Sequence, residues 1–223
     1  MIEQDLHGPP CESVIESDFD YHARKYLHQE VVMERQVEFH TAVGTFRADF
    51  VLSRHGRRVV VECDGRDYHQ AGRDEWRDAM ILGEKHAEVI VRLPGNLLYW
   101  RIADALFVLA AWEPQLFDER GLVNVNALAT DAVKEAGQRS TATRTWIHYT
   151  GEDFDEVRDR NVSVLVERKC AEQTGSEELR VQLWISCYAY AQAHGDIVTL
   201  DALMAAYWID DEAPGSSFGG GRV

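Results

Sequence analysis

The segment from Thr45 to Asp64 constrains this chain most. Two apolar strand-like runs, Thr45–Ser53 and Arg58–Asp64, meet across the turn pair His55-Gly56 and carry three acids among residues suited to burial. Strand side chains alternate faces, so Phe46, Ala48, Phe50 and Leu52 share one face and Arg47, Asp49 and Val51 the other. Glu62 and Asp64 point together, with Val61 and Cys63 opposed to them. If the runs pair as a hairpin, Asp49 lies near the end of the strand that holds Glu62 and Asp64. Carboxylates gathered in this way repel one another unless they are protonated or neutralised by a cation. Hard oxygen donors favour Mg²⁺ or Mn²⁺, which can hold a phosphate oxygen and activate an attacking water. The alternative for Asp49 or Asp64 taken singly is a turn cap, Asp64-Gly65 being an ordinary turn signal. His69, in the polar stretch that follows, has the side chain best suited to relay protons near neutral pH.

The elements around this segment spell a mixed α/β unit. A helix is expected over 12–29, after the breaker pair Pro9-Pro10, and a strand over Val31–Phe39. A helix over 71–86 follows the hairpin, then a strand over Glu88–Leu93 ending at Pro94-Gly95, then an amphipathic helix from Leu97 to Trp112 closed by Pro114. The order helix, three strands, helix, strand, helix predicts a sheet covered on both faces. Beyond Pro114, Asn126–Gly137, Ser176–His194 and Thr199–Trp208 read as helices, and Thr143–Tyr149 and Val162–Glu167 as strands. The Gly/Ser-rich end from about 213 reads as a mobile tail. The division expected is a first domain over 1–112 and a mostly helical or α/β accessory region over 113–223.

Charge narrows the function classes. The net charge of -15 argues against a long phosphate-tracking surface. Within 47–77, however, seven arginines stand against six acids, so a metal-bound subset of those acids leaves the window cationic. The N-terminal MIEQDLHGPP has no apolar core, and Leu97–Trp112 is interrupted by Arg101 and Asp104, which argues against a signal peptide and a membrane span. Four cysteines without a CxxC pair fit a reduced, cytoplasmic protein.

The run from Gly44 to Gly95 resembles the PD-(D/E)XK nuclease superfamily, in particular the branch similar to very-short-patch-repair endonucleases. The resemblance rests on Phe46-Arg47-Ala48-Asp49-Phe50, on Glu62-Cys63-Asp64-Gly65 with His69, on Arg77-Asp78 and on Val91-Arg92. Ser13-Val14-Ile15-Glu16 is similar to the motif that opens the branch, with Val14 in place of proline. It implies a restriction-endonuclease-like fold and metal-dependent hydrolysis of DNA. Asp49, Glu62 and Asp64 would then hold Mg²⁺ or Mn²⁺, Glu16 would add an acid from the first helix, and His69 would serve as acid or base. Asp64 stands where the superfamily usually has lysine. Either a second metal compensates, or His69 or an arginine takes that role, or cleavage has been lost and a nuclease fold binds nucleic acid or a partner protein. Arg47, Arg66, Arg73, Arg77 and Arg92 are candidates for gripping phosphates. Arg77 and Asp78 have the alternative of pairing near their own helix. Arg54, Arg57 and Arg58 either reach a groove from the hairpin tip or belong to a solvated turn.

The second half is read more coarsely. Glu167-Arg168-Lys169 has the form Glu-x-Lys, with Asp155 upstream, but the plainer reading is a strand ending at charged, solvated residues. Trp146, Tyr149, Trp184, Tyr188, Tyr190, Tyr207 and Trp208 are either base-stacking platforms or core, and core is the commoner fate of such helical spacings. A docking surface for a protein partner is the economical reading of 113–223. An acidic mimic of DNA is a further reading of the net charge, but it leaves the acid cluster unexplained.

Overall fold

The computed structural model describes residues 11–65, 71–141, 143–150, 161–170, 185, 189–190, 193 and 199–206. Its elements in chain order are α1 (Val14–Ala23), β1 (Val32–Thr41), β2 (Gly44–Arg54), β3 (Arg57–Asp64), α2 (Ala71–Gly83), β4 (Val89–Pro94), α3 (Gly95–Trp100), α4 (Ile102–Trp112), α5 (Glu119–Leu128), α6 (Asp131–Arg139), β5 (Arg144–Tyr149), β6 (Val162–Cys170) and α7 (Leu200–Ala206). The strands form one six-stranded mixed sheet in the order β1-β2-β3-β4-β6-β5, flanked by helices, so the chain is an α/β protein. Two of those strands, β5 and β6, come from beyond residue 113.

The hairpin forms as its sequence predicts. β2 and β3 pair antiparallel from Arg54↔Arg57 to Phe50↔Val61. His55 and Gly56 both take positive φ, 50° and 82°, as a two-residue hairpin turn matched to the strand twist requires. Several other elements differ in extent. The first helix stops at Ala23 and the chain turns, with His28 N donating to Leu116 O, so the expected 12–29 helix is shorter. The Leu97–Trp112 run is broken at Arg101, whose φ of -145° and ψ of 54° lie outside the helical region. Asn126–Gly137 is two helices, because Ala129 turns extended (ψ 141°) and Thr130 caps α6 by accepting from Val133 N. The helix expected over Ser176–His194 lies mostly outside the described residues, and the tail from about 213 entirely so.

The chain divides into two compact units, each made of separate segments. One comprises 1–37, 48–66 and 91–168. Its core includes Phe19 and Phe50, with ring centroids 4.9 Å apart, together with Leu52, Leu93, Leu97 and Leu106. Asp104 is buried in this unit. It accepts from Thr130 N (2.8 Å), Thr130 Oγ1 (2.7 Å) and Tyr149 Oη (2.7 Å), which joins α4 to the start of α6 and to β5. The other unit comprises 38–47, 67–90 and 169–223, with Val43, Trp76, Ala79, Met80, Leu200 and Leu203 in its core and Tyr190 packed against them. No helix among the described residues is long and apolar enough to cross a membrane.

Candidate active site

The site is built where the hairpin ladder ends. Phe50↔Val61 is its last pair, and Asp49 and Glu62 are the next residues along their strands. Here the Asp49 carboxylate replaces a strand partner: its Oδ2 accepts from Cys63 N at 2.8 Å. Glu62, flanked by Val61 and Cys63 and only 4% exposed, is a buried acid on a strand buried from Val59 onward. Asp64 closes the strand. Arg92 on β4 donates to it from Nη1, at 3.1 Å to Oδ1 and 3.4 Å to Oδ2, and this guanidinium is itself 5% exposed. Gly95 opens α3 against the same point, where an added Cβ would sit 2.9 Å from Asp64 O and 3.2 Å from Ile15 Cδ1. Only glycine lets α3 approach the end of β3 this closely.

Glu16 enters from the first turn of α1. Ser13 caps that helix by accepting from Glu16 N, and the Glu16 carboxylate reaches back to accept from Ser13 Oγ (2.7 Å) and Glu12 N (3.0 Å). This is a variant of the reciprocal capping box, and Ser-x-x-Glu before an apolar run is its sequence signal. The third donor to Glu16 is Gln36 Nε2 at 2.8 Å, from a residue within β1 that takes a positive φ of 51°.

The electrostatics register how these acids are gathered. The buried Cys63 thiol is pushed well above its ordinary range, first by loss of solvent and then by the fields of Asp49, Glu16, Glu62 and Asp64. Carboxylates from α1, β2 and β3 therefore all lie within Coulombic reach of one sulfur.

Among the described residues no group of three or more His, Cys, Asp or Glu side chains is arranged to hold a metal ion. Asp64 faces Arg92, Glu16 is held by three donors and Asp49 accepts from Cys63 N. Asp49 and Glu62 stand directly beyond the last pair of the hairpin ladder, one on each strand. Mg²⁺ is commonly held by one or two carboxylates with waters and substrate oxygens completing its shell, so an Asp49/Glu62 pair fits such an ion by donor chemistry.

The arginine candidates are dispersed. Arg92 is committed to Asp64. Arg77 lies with Nε 3.6 Å from Asp78 Oδ1, the local pairing that was its alternative reading. Arg73 is bonded to Asp201, and Arg47 is exposed near the start of β2. Arg66 and His69 lie outside the described residues. Two of the hairpin-tip arginines, Arg54 and Arg57, are engaged by the protein itself: Arg54 bonds Gln115 O and Glu30, and Arg57 bonds the buried Glu113 at 2.8 Å. Lys169 also departs from the solvated reading. It is 6% exposed, with Nζ 2.8 Å from the fully buried Asp78 and 2.6 Å from Glu75. Strand alternation does not foretell it: Val164 and Val166 are the alternating buried positions of β6, and Lys169 falls on the other parity.

Fold and site together define an α/β protein with an acid cluster at the end of a central hairpin. No protein-family model, no curated protein and no solved structure matches the chain.

Proposed function

We propose that this protein is a metal-dependent DNA endonuclease of restriction-endonuclease-like fold, acting in the cytoplasm and hydrolysing phosphodiester bonds with an activated water. The observation that carries the reading is the placement of Asp49, Glu62 and Asp64 at the end of the β2–β3 ladder, with Asp49 Oδ2 accepting from Cys63 N and Arg92 donating to Asp64. Asp49 and Glu62 are the residues that would hold Mg²⁺ or Mn²⁺. Such an ion, when bound, supplies Lewis acidity and a water of lowered pKa. The chain's own groups do the positioning. Cys63 N orients the Asp49 carboxylate, Glu16 braces α1, and the Arg92 guanidinium offsets the charge of Asp64. Arg92 thereby brings a fixed cation to the end of β3, the strand on which the superfamily pattern carries lysine. His69 is the proposed proton relay, and Arg47, Arg66 and Arg73 the proposed phosphate contacts.

The test is cleavage of plasmid and of single-stranded DNA in Mg²⁺ or Mn²⁺. Cleavage is expected from the native chain and its loss from Asp49→Ala and Glu62→Ala. Equal activity in the variants refutes the assignment. A second reading, a non-cleaving subunit that keeps the nuclease fold and uses it to hold nucleic acid or a protein partner, is favoured by one specific observation. Asp64 and Glu16 are already engaged by protein donors. It predicts no cleavage by any of these chains.

A further inference from the structure

We propose that the groove between α6 and β5 is a stacking site for one nucleotide of a single-stranded nucleic acid. The strand alternates strictly, with Thr145, Ile147 and Tyr149 buried and Arg144, Trp146 and His148 turned outward. Those outward residues and Glu135, Ala136 and Arg139 of α6 line a cavity of about 590 Å³, within the size range of ligand pockets, roughly 300–1,000 Å³.

Three features select the ligand. First, Trp146 keeps 53% of its surface in water although its strand neighbours are buried, so the core does not account for its placement. Second, the Trp146 and His148 rings are parallel to within 5°, with centroids 6.5 Å apart. His148 Nδ1 is fixed by Ser163 Oγ at 2.8 Å across the β5–β6 pair. A planar ring stacked on Trp146 therefore also lies parallel to His148, and aromatic platforms accept any base because every base has a π-face. Third, two guanidiniums, Arg139 and Arg144, line the cavity in a chain of net charge -15. Arg139 pairs with Glu135 at 3.2 Å and Arg144 with Glu167 at 3.1 Å, and both arginines are exposed. Exposed pairs of this kind contribute little, so either guanidinium can exchange its carboxylate for a phosphate.

This site is distinct from the acid cluster and does not require hydrolysis. The experiment is fluorescence anisotropy of a short labelled oligothymidylate with the full chain in EDTA, so that binding is read without cleavage. Trp146→Ala is expected to weaken binding roughly 5- to 150-fold. Trp146→Phe should restore most of it. Arg144→Gln should lower the slope of log affinity against log salt by about 0.7. A native chain that binds the oligonucleotide through Trp146 but cleaves no DNA in Mg²⁺ would overturn the hydrolase reading alone, so the two readings fail separately. The proposal is overturned if Trp146→Ala binds within twofold of the native chain at an unchanged melting temperature. It is also overturned if Trp146→Phe fails to rescue binding. Competition by thymidine monophosphate at the oligonucleotide's own concentration would instead mark a free-nucleotide site and overturn the assignment to a strand.

Discussion

Replacing Arg92 by leucine tests how the acid cluster is held together. Two unit charges about 3 Å apart attract by about 5 kcal/mol at an effective dielectric constant near 20. Removing one member of a buried pair typically costs about 3–5 kcal/mol. The Asp64 side chain keeps 19% of its surface, while that of Arg92 keeps 6%, so water screens part of the loss. The expected cost of Arg92→Leu is then about 2–3 kcal/mol. At a urea dependence of about 2–3 kcal/mol/M this is a midpoint shift of about 1 M. Asp64→Asn in the same background should return part of the stability, because the carboxylate then no longer faces Asp49, Glu62 and Glu16 without the guanidinium. A double-mutant cycle on urea midpoints reads the coupling, expected at about 1.5–3 kcal/mol. Coupling below about 0.5 kcal/mol, with Arg92→Leu as stable as the native chain, would mean that the pair does not organise the site.

Other perturbations follow from the same geometry. Asp104→Ala withdraws the acceptor of three bonds and should cost about 3 kcal/mol or more by chemical denaturation, whereas Tyr149→Phe, which loses one, should cost about 1.5–3 kcal/mol. Burial pushes the Glu113 carboxyl up, but hydrogen bonds from Arg57 and Arg168 outweigh it and leave the group below its ordinary value of 4.5. Its contribution to stability is therefore present above about pH 4.5 and is lost as pH falls through the lower folded value, and Glu113→Gln should flatten the acid limb of a stability–pH profile. Gly95→Ala drives a Cβ to 2.9 Å from Asp64 O, so it should destabilise by about 1–3 kcal/mol in thermal melts and reduce cleavage more than Gly137→Ala, whose Cβ meets only Phe107 Cε1 at an ordinary 3.5 Å.

The hairpin was legible because its signals are local. His55-Gly56 prescribes the turn, and the alternation of Phe46–Leu52 and Val59–Asp64 prescribes the faces, so β2 and β3 fall within a residue of their expected ends. Helix limits were less legible because tertiary partners set them. Leu116 takes the backbone N–H of His28, and Asp104 draws Thr130 into a cap that splits an apparently continuous helical run. The gathering of acids could be read from strand parity, but what each acid faces could not. Arg92 sits among Val89, Ile90, Val91 and Leu93 on a buried strand, and an arginine in such a run needs an anion nearby, which is the clue to its pairing with Asp64. Lys169 was hidden for the opposite reason. Its partners Glu75 and Asp78 lie some ninety residues away in sequence and share no motif with it.

Calorimetric titration of the full chain with Mn²⁺ asks the central question directly. The account predicts one ion bound per chain, with that heat abolished by Glu62→Gln and by Asp49→Asn in variants whose melting temperatures are unchanged. No heat from the native chain, or binding that survives both substitutions, contradicts it.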